Sequence, residues 1–180
     1  MEHRLTTMIS EEEIIARISE IAEQINKDYA GQEVHLVCVL RGGSFFMCSL
    51  AKRITLPVTL DFISCSSYGN DTKSSGVVRI VKDLSDSIVG KNVIVIEDVV
   101  DTGRTLSYLL KMLSERQPRS LKLCSLLDKP SRRVVEIEAD YVGFTIPDKF
   151  VVGYGLDYAQ KYRNLPYIAE VVFEEENPER

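Results

Sequence analysis

The chain has 180 residues, of which 44% are hydrophobic and 27% charged, and its formal net charge is −5. That length predicts one domain, able to bury about 70% of the surface an extended chain exposes, so no disulfide or metal staple is required. The acidic balance argues against a general nucleic-acid or membrane surface and points to small-molecule partners. Cys38, Cys48, Cys65 and Cys124 stand singly, mostly among apolar neighbours, without a C-x-x-C pair. They read as buried, reduced thiols rather than a zinc site. The opening MEHRLTTMIS has no apolar signal core, and no apolar run approaches the roughly 20 residues that span a bilayer. The cytoplasm is therefore the expected compartment.

In chain order, Ser10 and Glu13 form a capping box, and Ile14, Ile18, Ile21, Ala22 and Ile25 recur at helical spacing through about Lys27. The acids Glu11 to Glu13 suit a helix N-terminus and need no metal. Val34 to Leu40 read as a core strand, followed by the turn Arg41-Gly42-Gly43 and an apolar helix from Ser44 to Ile54. Residues 57 to 66 alternate as a half-buried strand, and Val77 to Val81 resume one after the polar stretch SSYGNDTKSSG. A polar connection of that length suggests a mobile hairpin. A strand at Val93 to Ile96 leads to a helix that begins near Leu106, runs to about Arg116 and is stopped by Pro118. Leu121 to Leu127 form another strand ending at Asp128-Lys129-Pro130, and Pro147-Asp148-Lys149 interrupt strand pattern before Phe150 to Val152. Ile168 to Phe173 close the series, and EEENPER is a solvated acidic tail.

The informative stretch is VIVIEDVVDTGRTL, residues 93 to 106. Four β-branched aliphatics make a strand buried on both faces, and three carboxylates, Glu97, Asp98 and Asp101, follow within five positions. A loop after a buried strand and before a helix lies where open α/β sheets bind ligands. Gly103 permits close backbone approach, Thr102 and Thr105 offer hydroxyls, and the unpaired N–H groups of the next helix make an anion seat. Paired acids beside that seat suit ribose hydroxyls or the water shell of Mg²⁺, so the loop fits a sugar phosphate. The plain alternative is that the acids only cap the next helix, for which one would suffice. Elsewhere the signal is weaker: Arg41-Gly42-Gly43 could be an ordinary tight turn, and Lys129 a solvated charge.

VIVIEDVVDTGRTL resembles the phosphoribosyl-pyrophosphate signature of the type I phosphoribosyltransferases, and its Glu-Asp opening is similar to that of their hypoxanthine-guanine branch. LRGG at residues 40 to 43, LLDKPSRR and KFVVGYGLDY are similar to further segments of that branch, so the likeness runs from about Val34 to Phe173. It implies an α/β type I phosphoribosyltransferase fold, a central, mostly parallel sheet flanked by helices with a small hood and flexible loop. It also implies a non-proline cis peptide at Leu40–Arg41. The implied reaction is Mg²⁺-dependent transfer of ribose 5-phosphate from phosphoribosyl pyrophosphate to a 6-oxopurine, as in purine salvage to IMP and GMP.

In residue terms, the resemblance gives the 5-phosphate to Thr102, Gly103, Arg104 and Thr105 and the ribose hydroxyls to Glu97 and Asp98. Asp101 becomes the general base. Pyrophosphate falls to Leu40, Arg41, Gly42, Gly43 and Arg163, and the metal to Asp157 with Glu97 and Asp98. The purine falls to Lys129, Phe150, Val151 and Asp157, and Ser67 and Tyr68 close over the reacting centre. The family habit is a homodimer or homotetramer. A rival reading is a regulator that keeps the ligand fold but binds nucleic acid, and the acidic balance favours the enzyme.

Overall fold

A computed structural model describes residues 3–67 and 78–173. Six strands form the main sheet: β2 (Val34–Val39), β3 (Val58–Ser67), β4 (Val78–Lys82), β5 (Asn92–Val100), β6 (Ser120–Asp128) and β7 (Tyr141–Thr145). Their spatial order is β4-β3-β2-β5-β6-β7, parallel throughout except for the antiparallel β3–β4 pair. This is the mostly parallel sheet that the family resemblance implies. The β3–β4 hairpin is present as well, but Tyr68 and the rest of its connection lie outside the described residues.

Alternation along the central strands explains the layers. In β2 and β5, Leu36, Cys38, Ile94 and Ile96 face α1 (Glu11–Asp28) and α2 (Ser44–Ala51). Val37, Val39, Val93 and Val95 face α3 (Arg104–Ser114), which presents Leu106, Leu109 and Leu113. With both faces covered, such strands read as unbroken apolar runs, and each buried aliphatic contributes about 1.5–3 kcal/mol. The capping box of α1 forms as expected, with Ser10 Oγ accepting from Glu13 N–H and the Glu13 carboxylate accepting from Ser10 N–H.

Three findings depart from the sequence reading. β5 does not stop at Ile96 but continues to Val100, because Glu97, Val99 and Val100 keep pairing with Ser125, Leu127 and Asp128 of β6. Residues 3–9, where the sequence pattern predicts no element, form β1 (His3–Ile9), which joins β9 (Ile168–Phe173) and β8 (Val151–Val152) in a separate antiparallel sheet, the hood. The four cysteines are free, yet only Cys38 and Cys124 are buried, while Cys48 on the outer side of α2 is exposed. No helix among the described residues is long and apolar enough to cross a membrane.

Candidate active site

The carboxyl ends of β2, β5, β6 and β7 share one rim, which carries Leu40 to Gly43, Glu97 to Thr105 and Lys129. After β2 the chain turns through Leu40–Arg41, whose peptide is cis, into Gly42 and Gly43. A methyl group on Gly42 would lie 1.6 Å from Asp98 Oδ2, and one on Gly155 would lie 2.0 Å from the Gly42 carbonyl oxygen. The two glycines therefore let the turn after β2 nest between the acids of β5 and the loop after β8. Gly43 serves the turn differently, since its N–H donates to the Val39 carbonyl at 3.2 Å and its α-carbon packs against the Ile96 carbonyl. It is a packing residue, and its amide is not available to an anion.

The tight contact at Gly155 has a testable consequence. Its φ of +104° is strained for any side chain, and the obstacle is backbone, which cannot rotate away. Gly155→Ala is expected to lower stability by about 2–5 kcal/mol through overpacking and strain, read as a reduced urea midpoint. A wild-type midpoint would show that the two loops separate at little cost.

At the end of β5, Glu97, Val100, Asp101, Thr102, Gly103 and Thr105 line a cavity of about 170 Å³. Withdrawal from water, then the charge of neighbouring Asp98, push the Glu97 carboxyl well above the usual carboxylate range. A cation or developing positive charge would offset that penalty. Gly103 stands at the N-cap of α3 with φ 81°, so the cap position itself is held by glycine and not by one of the three acids. The first turn of α3 begins at this cavity, and the amides of a helix N-terminus can seat an anion. Cys38 lies beneath Gly43, and burial first, then Glu97, pushes its thiol up to about 12. It stays protonated and is no nucleophile.

β6 delivers Lys129, whose backbone N–H donates to the Val100 carbonyl at 3.0 Å. The residue is only 9% exposed, and its Nζ donates to the Lys149 carbonyl at 2.6 Å. This bond brings a donor-only group beside Phe150, which is 48% exposed. Phe150 is backed edge-on by Tyr158 at 5.6 Å and tilted against Phe173 at 6.2 Å. A flat ligand could stack on such a face while Lys129 reads its edge. Val151 is buried in the hood sheet, opposite Glu170.

Arg163 pairs with Asp157 at 2.7 Å and also donates to the Gly155 carbonyl at 2.6 Å, while Arg41 donates to Gln160 Oε1 at 2.8 Å. Ala159 and Gln160 both take positive φ, which folds this loop back so that Gln160 N–H reaches Asp157 Oδ2. Two cations and a carboxylate thus stand together at this side of the rim. Among the described residues no three His, Cys, Asp or Glu side chains converge to cage a metal. Asp157, or Glu97 with Asp98, fits an ion held through one or two carboxylates and a ligand's own phosphates, the usual habit of Mg²⁺.

Three neighbours of these residues escaped the sequence reading. Arg132 Nε donates to Asp101 Oδ1 at 2.7 Å. Arg133 donates to the Asp101 carbonyl at 2.7 Å and pairs with Asp128. Gln160 links Arg41 to the 157–163 loop. The Arg-Arg pair in LLDKPSRR was visible, but only the 3-10 turn at Pro130–Arg132 aims it back at Asp101. Ser67 closes β3 as backbone, and Tyr68 lies outside the described residues.

Residues 6–159 match the phosphoribosyl transferase domain family. The chain is 48% identical over 178 residues to hypoxanthine phosphoribosyltransferase of Salmonella typhimurium, covering 98% of this chain and 100% of that protein. It is 53% identical over 161 residues to the bifunctional protein TilS/HprT of Listeria monocytogenes, covering 89% of this chain but spanning only 25% of that longer relative. A crystal structure of a hypoxanthine-guanine phosphoribosyltransferase from Bacillus anthracis superposes with a TM-score of 0.90 at 50% identity, covering 95% of this chain and 100% of that one.

Proposed function

Because the chain belongs to the phosphoribosyl transferase domain family, we propose that it is a purine-salvage enzyme acting as a single domain. It transfers the 5-phosphoribosyl group of phosphoribosyl pyrophosphate to hypoxanthine or guanine, yielding IMP or GMP and pyrophosphate. The observation that carries the 6-oxopurine reading is Lys129, whose backbone N–H is tied to the Val100 carbonyl of β5 and whose ammonium is held by the carbonyl of Lys149, the residue before Phe150.

In this reading the α3 amides with Thr102, Gly103, Arg104 and Thr105 hold the 5-phosphate. Glu97 and Asp98 bind the ribose hydroxyls, and their charge steadies the ring as it becomes cationic, when the interaction is strongest. Phe150 stacks on the purine, Lys129 donates to its 6-oxo group, and backbone near Val151 and Asp157 reads the 2-position. Asp101 accepts the imidazole proton as the other ring nitrogen bonds to the sugar. Arg41, Arg163 and the Leu40–Gly42 backbone neutralise the departing pyrophosphate, with Gly43 as the wall behind them. Asp157, with Glu97 and Asp98, would hold Mg²⁺, which supplies charge neutralisation of the diphosphate. Ser67 and Tyr68 would close the centre against water.

We place the protein in the cytoplasm, which its four free cysteines support. An assembly of two or four copies is supported by Phe45, Leu60 and Tyr108, large apolar side chains left in water. The acidic balance supports neither nucleic acid nor membrane as a partner.

Hypoxanthine, guanine, xanthine, adenine and uracil, each offered with phosphoribosyl pyrophosphate and Mg²⁺, test this reading. Turnover of hypoxanthine or guanine, with adenine and uracil near background, is expected. Preference for uracil or xanthine, or no turnover of any base, would overturn it.

A further inference from the structure

Arg132 lies between two carboxylates. Its Nε donates to Asp101 Oδ1 at 2.7 Å, and its Nη1 stands 3.5 Å from Asp148 Oδ2. Neither Arg132 nor Asp148 has a part in the reaction as set out above. We propose that Arg132 is a positioning residue that orients Asp101 before the reaction and passes its charge to Asp148 as Asp101 becomes protonated. The inference rests on Asp101 being the base.

Arg132 occupies one carboxylate oxygen of Asp101 and leaves the other directed at a substrate N–H. That restraint helps binding and opposes chemistry, because a guanidinium favours the charged acid and the reaction requires the neutral one. When the proton leaves the purine nitrogen for the free oxygen of Asp101, the acid becomes neutral. Arg132 stays protonated throughout, and its ion pair with Asp101 disappears.

Among the described residues, the stranded cation has one other carboxylate within ion-pair distance. Asp148 is already at 3.5 Å, so a shift of under about 1 Å brings it to hydrogen-bond distance. The other charged groups facing Asp101 are committed elsewhere. Arg133 is paired with Asp128 and holds the Asp101 carbonyl, and Lys129 donates to Lys149. Glu97 lines the same cavity as Asp101, and its Oε1 accepts from the Asp98 N–H. Arg132 sits on the surface turn Pro130–Arg132 with its side chain 44% exposed, which gives it room to move.

A double-mutant cycle on the full chain, with hypoxanthine, phosphoribosyl pyrophosphate and Mg²⁺, tests the hand-over. Asp148→Asn should lower kcat about five- to tenfold, because Arg132 then has no second partner, and leave KM for the donor within about twofold. In an Arg132→Ala background the same change should alter kcat less than about twofold, since no cation remains to be rehoused. Arg132→Lys, which keeps the charge, should restore sensitivity to Asp148→Asn. Equal fold-losses from Asp148→Asn in both backgrounds, or no loss in either, would sink the proposal. Asp101→Asn separates the two levels. Undiminished kcat there defeats the base assignment and this inference together, whereas a collapse of kcat alongside an independent cycle defeats the hand-over alone.

Discussion

Asp101→Asn should lower kcat by about 10²–10⁴-fold while leaving KM for phosphoribosyl pyrophosphate within a few-fold. The asymmetry follows from where Asp101 stands. Its backbone carbonyl is tied by Arg133 and its side chain by Arg132, so the turn after β5 is held from both ends. Asparagine matches the shape of aspartate, and its amide oxygen can still accept from Arg132 Nε. The cavity that would seat the phosphate, lined by Thr102, Gly103 and Thr105, should therefore persist. What asparagine cannot do is take a proton from the purine. Steady-state kinetics with hypoxanthine measure the effect, and matching losses in kcat and donor affinity would instead mark Asp101 as a binding residue.

A change of comparable size is expected in base selectivity from Lys129→Gln. An ammonium only donates, so it meets the 6-oxo group of hypoxanthine or guanine and confronts the 6-amino group of adenine with another donor. A site that leaves buried hydrogen-bonding groups unpaired rejects an analogue by about 10⁴. Lys129 is placed for this role because it is buried and its ammonium is anchored on the Lys149 carbonyl, which leaves two N–H donors for a ligand. Glutamine offers both an acceptor and a donor at that point. The ratio of kcat/KM for hypoxanthine to that for adenine should fall by about 10² or more, mostly through loss of the 6-oxopurine. An unchanged ratio, with folding intact by thermal melt, would remove Lys129 from purine recognition.

Much of the architecture is legible in the chain alone. The four consecutive aliphatics Val93 to Ile96 announce a strand covered on both faces, and glycines or acids just past a strand announce the turns at the sheet rim. VIVIEDVVDTGRTL announces an anion seat with acids beside it through local spacing alone, since strand, loop and helix start follow one another in the chain. The hood is less legible. β1 carries His3, Arg4 and two threonines, and only pairing with β9, from the other end of the chain, makes it a strand. The extension of β5 past Ile96 has the same origin, because its register with β6 holds residues that composition assigns to a loop.

The succession of strand and helix segments and the residue types at the rim are encoded locally, by short-range periodicity, turn chemistry and the contiguous motif, while the layered, mostly parallel arrangement is what the family resemblance implies. Which of those residues meet depends on packing in three dimensions. It placed Gly42 against Asp98 and Gly155 against Gly42, spent the Gly43 amide on Val39, and set Arg132 between Asp101 and Asp148. The physical reason is that close approaches and ion pairs join residues up to more than a hundred positions apart. Their partners are chosen by how strands and loops pack in space, and no local pattern in the chain encodes that choice.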